Sequence, residues 1–528
     1  MLLENCSIPR PVVILLILIS YMSFLSNATA QTELPTVTPP SPDAMSFQRI
    51  SFENFNSYTG SASISVPLAN VQVGPINVPV SLSYVGSHGI KVEEVASEVG
   101  LGWSLNAGGM VSRTIRGMPD EQTNYGWLDG DPLPTEMDVS QVDLFEDIAT
   151  GQNDGEADLY SYSAPGISGS FLMPKSGGIF QVPMSSNEIN PSARSISSPI
   201  HGNESNNWNE FQSFEVISPE GLIYTFSKKE ELHSHTYGTA TSVSKFKISS
   251  WHLTQISDYN SDHIVYFEYD WQNGDDTNTA YQVSYSQSPE KNITPIGVSF
   301  GVPRYSVTKV HKPVLKRIYD NHGVNSILFV RDTIPRCDRG GTYALNEVQV
   351  YKYGRRVARH QLLYSYFDRD GIVSYSDPCT TRSDFNGTED GDMYLRLKLD
   401  EVKSFNDTDT DHQSHLFTYN TSYYLPSRYS YARDHWGFYN GEEDNPSLFP
   451  KQYLDLSGFQ GVEGTHFFIG DANRGVSTDH AKAAVLTRIT YPTGGNTQLI
   501  YESNEAAQHG LVGDMIDESV TIADGSSG

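Results

Sequence analysis

The sequence predicts an all-β protein built from antiparallel hairpin-repeat sheets, with few short helices. Three observations predict it. From Phe47 onward, apolar and polar residues alternate with period two over long stretches. One hairpin pattern is written five times between Leu253 and Tyr501. The chain carries 31 Tyr and 23 Phe, residue types suited to cross-strand pairs. One hairpin cannot bury its apolar face alone, so neighbouring hairpins must share a sheet. A sandwich, propeller-like blades and a curved shell all satisfy that requirement.

Residues 1–30 read as an export signal. Arg10 ends a short polar region, an apolar run follows from Val12 to Leu25, and Ala28-Thr29-Ala30 forms a small-x-small cleavage site. The run is short for a membrane span, and no later run is long and apolar enough to cross a bilayer. The expected location is therefore periplasmic, outer-surface or secreted, with no stable membrane insertion after cleavage. Residues 31–45 are rich in Pro and Thr and read as a linker.

Residues 46–125 form a first β unit. Ser61-Ala62-Ser63-Ile64-Ser65-Val66-Pro67-Leu68 and Ile76-Asn77-Val78-Pro79-Val80-Ser81-Leu82-Ser83-Tyr84 alternate with period two, with Gly74-Pro75 between them. Pro67 and Pro79 cannot donate to a ladder, which places them at an edge or a bulge. The unit ends in Gly100-Leu101-Gly102-Trp103-Ser104-Leu105-Asn106-Ala107-Gly108-Gly109 and runs on to Ser112-Arg113. Glycines clustered around one Trp predict tight backbone conformations and a large apolar anchor, a corner between strands. No G-x-G-x-x-G is present, and no helical pattern follows to bind a phosphate.

Residues 126–250 are a β region with an acidic insertion. Ten Asp or Glu and no Lys or Arg fall within 129–158. Val142, Phe145 and Ile148 share one helical face, so a short amphipathic helix is expected there. Asp154-Gly155-Glu156-Ala157-Asp158-Leu159-Tyr160 through Gly169-Ser170-Phe171 resembles a segment of bacterial RHS proteins, and the resemblance implies two short strands, here 169–173 and 178–182; the Ser- and Asn-rich residues 185–210 read as a loop.

Residues 251–505 hold the repeat. Each unit is an apolar pair, a turn rich in Gly, Asn or Asp, and an alternating strand ending in an aromatic. The pairs are Leu253/Ile256, Leu315/Ile318, Leu345/Val348, Leu399/Val402 and Leu486/Ile489. Insertions make their spacing uneven. Residues 506–528 read as a tail or a truncation point.

Several segments carry a resemblance. Thr59-Gly60-Ser61-Ala62-Ser63-Ile64-Ser65-Val66-Pro67-Leu68, Pro79-Val80-Ser81-Leu82-Ser83-Tyr84, the Gly100–Gly102–Trp103 stretch with Arg113, Tyr394-Leu395-Arg396-Leu397, Asp434-His435-Trp436-Gly437 and Tyr491-Pro492-Thr493-Gly494-Gly495 occur in one order. Together they resemble the N-terminal region of bacterial RHS/YD-repeat proteins, including SpvB-like and insecticidal toxin-complex B components. Tyr269-Asp270 with Gly274, and Tyr319-Asp320 with Gly323, are loose matches to the Tyr-Asp signature; the dense tandem array is missing. The resemblance implies an RHS-shell-like sheet and a structural role. Its partners would be a C-terminal RHS core or effector absent from this chain, or other cell-surface components.

Composition narrows the function classes. A net charge of −28, from 63 acidic and 35 basic residues, opposes binding to nucleic acid or anionic membranes. Of three cysteines, Cys6 lies in the signal, leaving Cys337 and Cys379 as one candidate disulfide. Closing that loop of roughly 43 residues would stabilise the fold by about 4 kcal/mol; two buried free thiols are the alternative.

No H-E-x-x-H, P-loop or nucleophile elbow is present. His233-x-His235 puts two imidazoles on one strand face, short of a metal site. Asp407-x-Asp409-x-Asp411 begins like an EF-hand but has His412 where Gly is needed, so a polar turn is expected, with Ca2+ as the alternative. The same applies to Asp384, Asn386, Gly387, Asp390 and Asp392. Asp434-His435-Trp436 lacks a nucleophile; Trp436, Phe438 and Tyr439 read as a packing node, with a sugar-stacking surface as runner-up. The expectation is an exported, non-enzymatic structural module with no catalytic residue and no cofactor. Its landmarks are Gly100, Gly102, Trp103, Arg113 and Trp436. A carbohydrate- or cell-surface-binding module and a secreted hydrolase using unidentified carboxylates are the alternatives.

Overall fold

The computed structural model describes residues 37–38, 64–130, 142–149, 152–196, 209–237, 243–271, 305–339, 342–369, 371–375, 394–450, 452–455 and 466–503. The expected signal, most of the 31–45 linker, the 506–528 tail, Gly274, Cys379 and the acidic turn 384–392 lie outside them, as do the side chains of His233 and His235. The architecture is all-β and antiparallel, with a single α-helix, Val142–Ala149, among the described residues.

All five sequence hairpins form. They are Val243–Asp258 with Ile264–Trp271, Pro313–Asp320 with Asn325–Pro335, Tyr343–Lys352 with Arg355–Asp368, Arg396–Phe405 with His412–Tyr419, and Leu486–Thr490 with Asn496–Gln498. We number them hairpins 1 to 5. Each pairs edge to edge with the next, so ten strands form one continuous ladder. Beyond hairpin 1 the ladder continues through Leu222–Tyr237, Phe214–Ile217 and Glu188–Pro191. The sheet also branches. Ser250–His252 of hairpin 1 pairs with Met110–Ser112, and Met110–Arg116 leads on to Leu159–Ala164 and Ile167–Leu172. The strand Val243–Asp258 therefore runs through the 250/251 division expected from sequence.

The apolar pair of every repeat is buried: Leu253, Ile256, Leu315, Ile318, Leu345, Val348, Leu399, Val402, Leu486 and Ile489 are each less than a tenth exposed. They belong to one core that also contains Val66, Val78, Leu82 and Trp103 of the N-terminal unit. That unit is a three-stranded meander, Ile64–Val73, Ile76–Tyr84 and Trp103–Asn106. The register slips between Pro67 and Ala69, a bulge at the first proline. Pro79 lies outside Ser81–Tyr84, the part of its strand that pairs with the third strand. Pro67 thus sits beside a bulge, and Pro79 in a stretch paired on one side only.

The helix falls where Val142, Phe145 and Ile148 predict it, but none of its residues is fully buried. Ile148 packs on Gly155, where a Cβ would approach its methyl to 2.7 Å.

Candidate functional site

Residues 84–109 are where the N-terminal unit meets the hairpins. The geometry starts with glycine. Gly100 has φ +112°, and a Cβ there would lie 3.0 Å from the Leu399 amide nitrogen. Gly102 has φ +73°, and a Cβ would come within 2.8 Å of the Tyr84 ring. Only glycine permits both the backbone conformation and the close approach. Leu101 can then donate its N–H to Leu397 O at 2.7 Å.

Trp103 is 1% exposed and packs between Tyr84 and Phe417, with ring centroids 5.3 and 4.6 Å away. Its indole donates to the Tyr419 hydroxyl at 2.8 Å, and that hydroxyl donates to Leu399 O at 2.7 Å. The second bond belongs to a series. Tyr269 donates to Leu253 O (2.7 Å), Tyr364 to Leu345 O (2.6 Å) and Tyr501 to Leu486 O (2.8 Å). In hairpin 2 the guanidinium of Arg331 takes the place of the phenol and donates to Leu315 O at 3.0 Å. In all five hairpins, a polar side chain in or just after the second strand thus satisfies the carbonyl of the leading Leu.

The amides of three of the leading Leu residues turn to the N-terminal segment. Leu253 donates to Gly109 O (2.8 Å), Leu345 to Glu98 O (3.0 Å) and Leu486 to the Tyr84 hydroxyl (2.8 Å). Arg331 reaches Glu98 at 2.6 Å. One segment therefore contacts all five hairpins. Arg336 and Arg396 add buried bonds to its carbonyls. Arg336 donates to Ser97 O and Ala96 O at 2.8 and 3.0 Å, and Arg396 to Val92 O at 2.9 Å. Asp338 chelates Arg336 and accepts from Leu397 N at 2.9 Å. Burial would raise the Asp338 carboxyl, but Arg336 holds it below the usual carboxylate range. Between these two residues Cys337 is buried and disulfide-bonded. Its partner falls outside the described residues.

Arg113 centres a second buried cluster. Its guanidinium bonds both oxygens of Glu121 (2.7 and 2.6 Å) and Ile248 O, lies 3.8 Å from Asp158, and stacks over Trp251. Asp158 accepts from Arg116 N and Asp120 N, while Asp158 N donates to Asp120 Oδ1. Three buried carboxylates face one guanidinium, and Asp120 Oδ2 accepts no hydrogen bond. Burial raises both aspartates, Asp158 to about 7 despite Arg113. Nearby Asp154 is also raised by burial to about 7. Arg113 was read from sequence only as the end of a landmark; its partners come from 120–158, within and beside the acidic block.

The remaining sequence candidates are structural in their contacts. Asp407 and Asp409 bind Arg355 and Arg356 at 2.7 and 2.5 Å, and Arg359 also reaches Asp409, so the turn is tied by ion pairs. Asp434 Oδ1 accepts from both Trp436 N and Phe438 N, which makes the residue a turn-former. Phe438 and Tyr439 are buried, whereas Trp436 is 37% exposed, so the expected packing node holds for two of its three aromatics. The turn glycine between Trp436 and Phe438 requires positive φ, which turns Trp436 outward. Asp320 accepts from Val324 N and Asn325 N; burial raises it, and these bonds more than offset that to lower its pKa.

A cavity of about 70 Å³ lies between residues 97–110 and hairpins 1 and 2, bordered by Glu98, His252, Tyr269 and Leu315. It holds a few waters at most. Glu98 is its single carboxylate, so it lacks the carboxylate pair that glycoside hydrolysis requires. No helix among the described residues is long and apolar enough to cross a membrane. Comparison with known proteins returns no protein-family model and no curated protein that matches the chain significantly.

Proposed function

We propose that this chain is an exported, non-enzymatic structural module that contributes curved β shell or surface scaffold, in the manner of RHS/YD-repeat proteins. What carries the reading is the use made of its polar residues. The phenols, guanidiniums and buried carboxylates described above bond backbone groups or one another, and a whole N-terminal segment is consumed in tying hairpins together. A module of this kind would enclose or present a C-terminal polypeptide. The order of the landmark segments supports that family reading, and the contact of residues 84–109 with all five hairpins is compatible with it.

A second reading rests on Trp436. A half-exposed indole beside His435 offers the stacking face that sugar-binding surfaces use. The test sets the two apart. The purified chain is mixed with the polypeptide encoded next to it and, separately, applied to a glycan array. Stable co-purification, with that polypeptide shielded from protease, supports the scaffold. Glycan binding that is lost in Trp436→Ala, without such association, supports the second reading and rejects the first.

A further inference from the structure

The turns of hairpins 1 and 2 bring together three residues that neither the landmarks nor the family reading use. His263 Nδ1 lies 3.1 Å from His322 Nε2, with the rings perpendicular at 5.3 Å between centroids. Asp262 Oδ1 lies 4.0 Å from the same Nε2. One ligand atom from each residue falls within 4.8 Å of the other two. The geometry points to a binding site for a borderline divalent cation of the Zn2+ type, held by Asp262, His263 and His322, that staples hairpin 1 to hairpin 2.

The donor set selects the class of ion. Two imidazoles and a carboxylate suit Zn2+ and its neighbours, whereas Ca2+ and Mg2+ take oxygen ligands. In a tetrahedral site with bonds of about 2.0–2.1 Å, ligand atoms sit roughly 3.3 Å apart. The nitrogen pair is already at that spacing. The Asp262 side chain, 83% exposed, needs to move inward by less than an ångström relative to His322. Water would complete the shell.

The scaffold beneath is rigid. Asn321 N donates to Ile264 O at 3.0 Å, Ile264 N donates to Asn321 Oδ1 at 3.1 Å, and Asn321 Nδ2 donates to Asp262 O at 2.6 Å, so the two turns are locked by reciprocal bonds. Gly74 from the N-terminal meander lies under the His263 ring. A Cβ there would be 2.2 Å from Cδ2, so the absence of a side chain is what lets the imidazole occupy its position. The sequence concealed the site because its ligands come from two turns about sixty residues apart, and only strand pairing brings them together. The pair His233-x-His235, which the sequence offered instead, lies on another strand.

The experiment uses the full chain in metal-free buffer, titrated with ZnCl2 by calorimetry and with CoCl2 by visible absorption. The expected result is one equivalent of Zn2+, a rise in Tm, and a Co2+ spectrum of tetrahedral intensity containing imidazole. H263Q and H322Q should each weaken binding by more than about tenfold while leaving the apo Tm near wild type. MgCl2 and CaCl2 should do nothing, and an H233A/H235A variant should bind normally. Absence of stoichiometric binding would mean that the two imidazoles only hydrogen-bond one another, and would overturn the proposal. Binding retained in the H263Q/H322Q double variant would overturn it equally.

Discussion

Trp103→Ala removes the side chain on which the junction converges. The indole is 1% exposed, packs on Tyr84 and Phe417, and donates to the Tyr419 hydroxyl at 2.8 Å. Truncating a buried Trp costs about 3–5 kcal/mol, from lost transfer energy and the cavity left behind. A cooperative unit of about 350 residues has an unfolding entropy near 0.7 kcal/mol per kelvin, from ~2.1 cal/mol/K per residue. The expected drop in Tm is therefore roughly 4–7 °C. Trp103→Phe keeps an aromatic ring and loses the N–H, so it should fall by less. Scanning calorimetry on wild type and both variants measures this. A Tm within about 1 °C of wild type for Trp103→Ala would refute the reasoning, because the cavity term could not be that small at a site held by three strands.

Three further outcomes follow from the same contacts. Removing single phenol hydroxyls in Tyr269→Phe, Tyr364→Phe or Tyr501→Phe leaves the carbonyls of Leu253, Leu345 or Leu486 without that bond and should cost about 0.5–1.5 kcal/mol each by urea denaturation. The raised pKa values of Asp158 and Asp154, about 7 in the folded chain, mean that the native state binds more protons than the unfolded chain between the ordinary carboxylate range and pH 7. Their contribution is complete below the unfolded value and is lost as pH rises through 7, at up to about 1.4 kcal/mol per pH unit for one proton. His360 and His415, lowered by burial, act with the opposite sign, so the readout is the difference between wild type and Asp158→Asn, whose stability should fall less from pH 5 to pH 7.5. Reduction of the Cys337 disulfide should lower Tm in calorimetry with and without reductant, since Cys337 sits between the two residues that bind Ser97 and Leu397.

Much of the sheet was legible because its signals are local. A Leu-x-x-Ile pair, a Gly- or Asn-rich turn and an alternating strand specify one hairpin without reference to anything distant, and five such units gave five hairpins. The prolines at 67 and 79 and the glycines at 100 and 102 were legible for the same reason, since each restricts its own backbone. The contacts that make the junction were not. Arg331 and Arg336 meet residues 96–98 across more than two hundred positions of sequence, and nothing in their neighbourhood distinguishes them from surface charges. Arg113 was recognised as a landmark, but its role needs Glu121, Asp158 and the Ile248 carbonyl in one place. Trp436 went the other way. Its aromatic neighbours suggested burial, and the turn that Asp434 nucleates points it outward.

That residues 84–109 bind the hairpins into a single cooperative body is tested most directly by native-state hydrogen exchange at three amides. Leu253, Leu345 and Leu486 lie in hairpins 1, 3 and 5, and each donates to this segment. The prediction is one common opening free energy for the three in wild type, reduced by the same amount in all three by Trp103→Ala. Three different opening free energies, with Trp103→Ala affecting the amide of one hairpin alone, would contradict it.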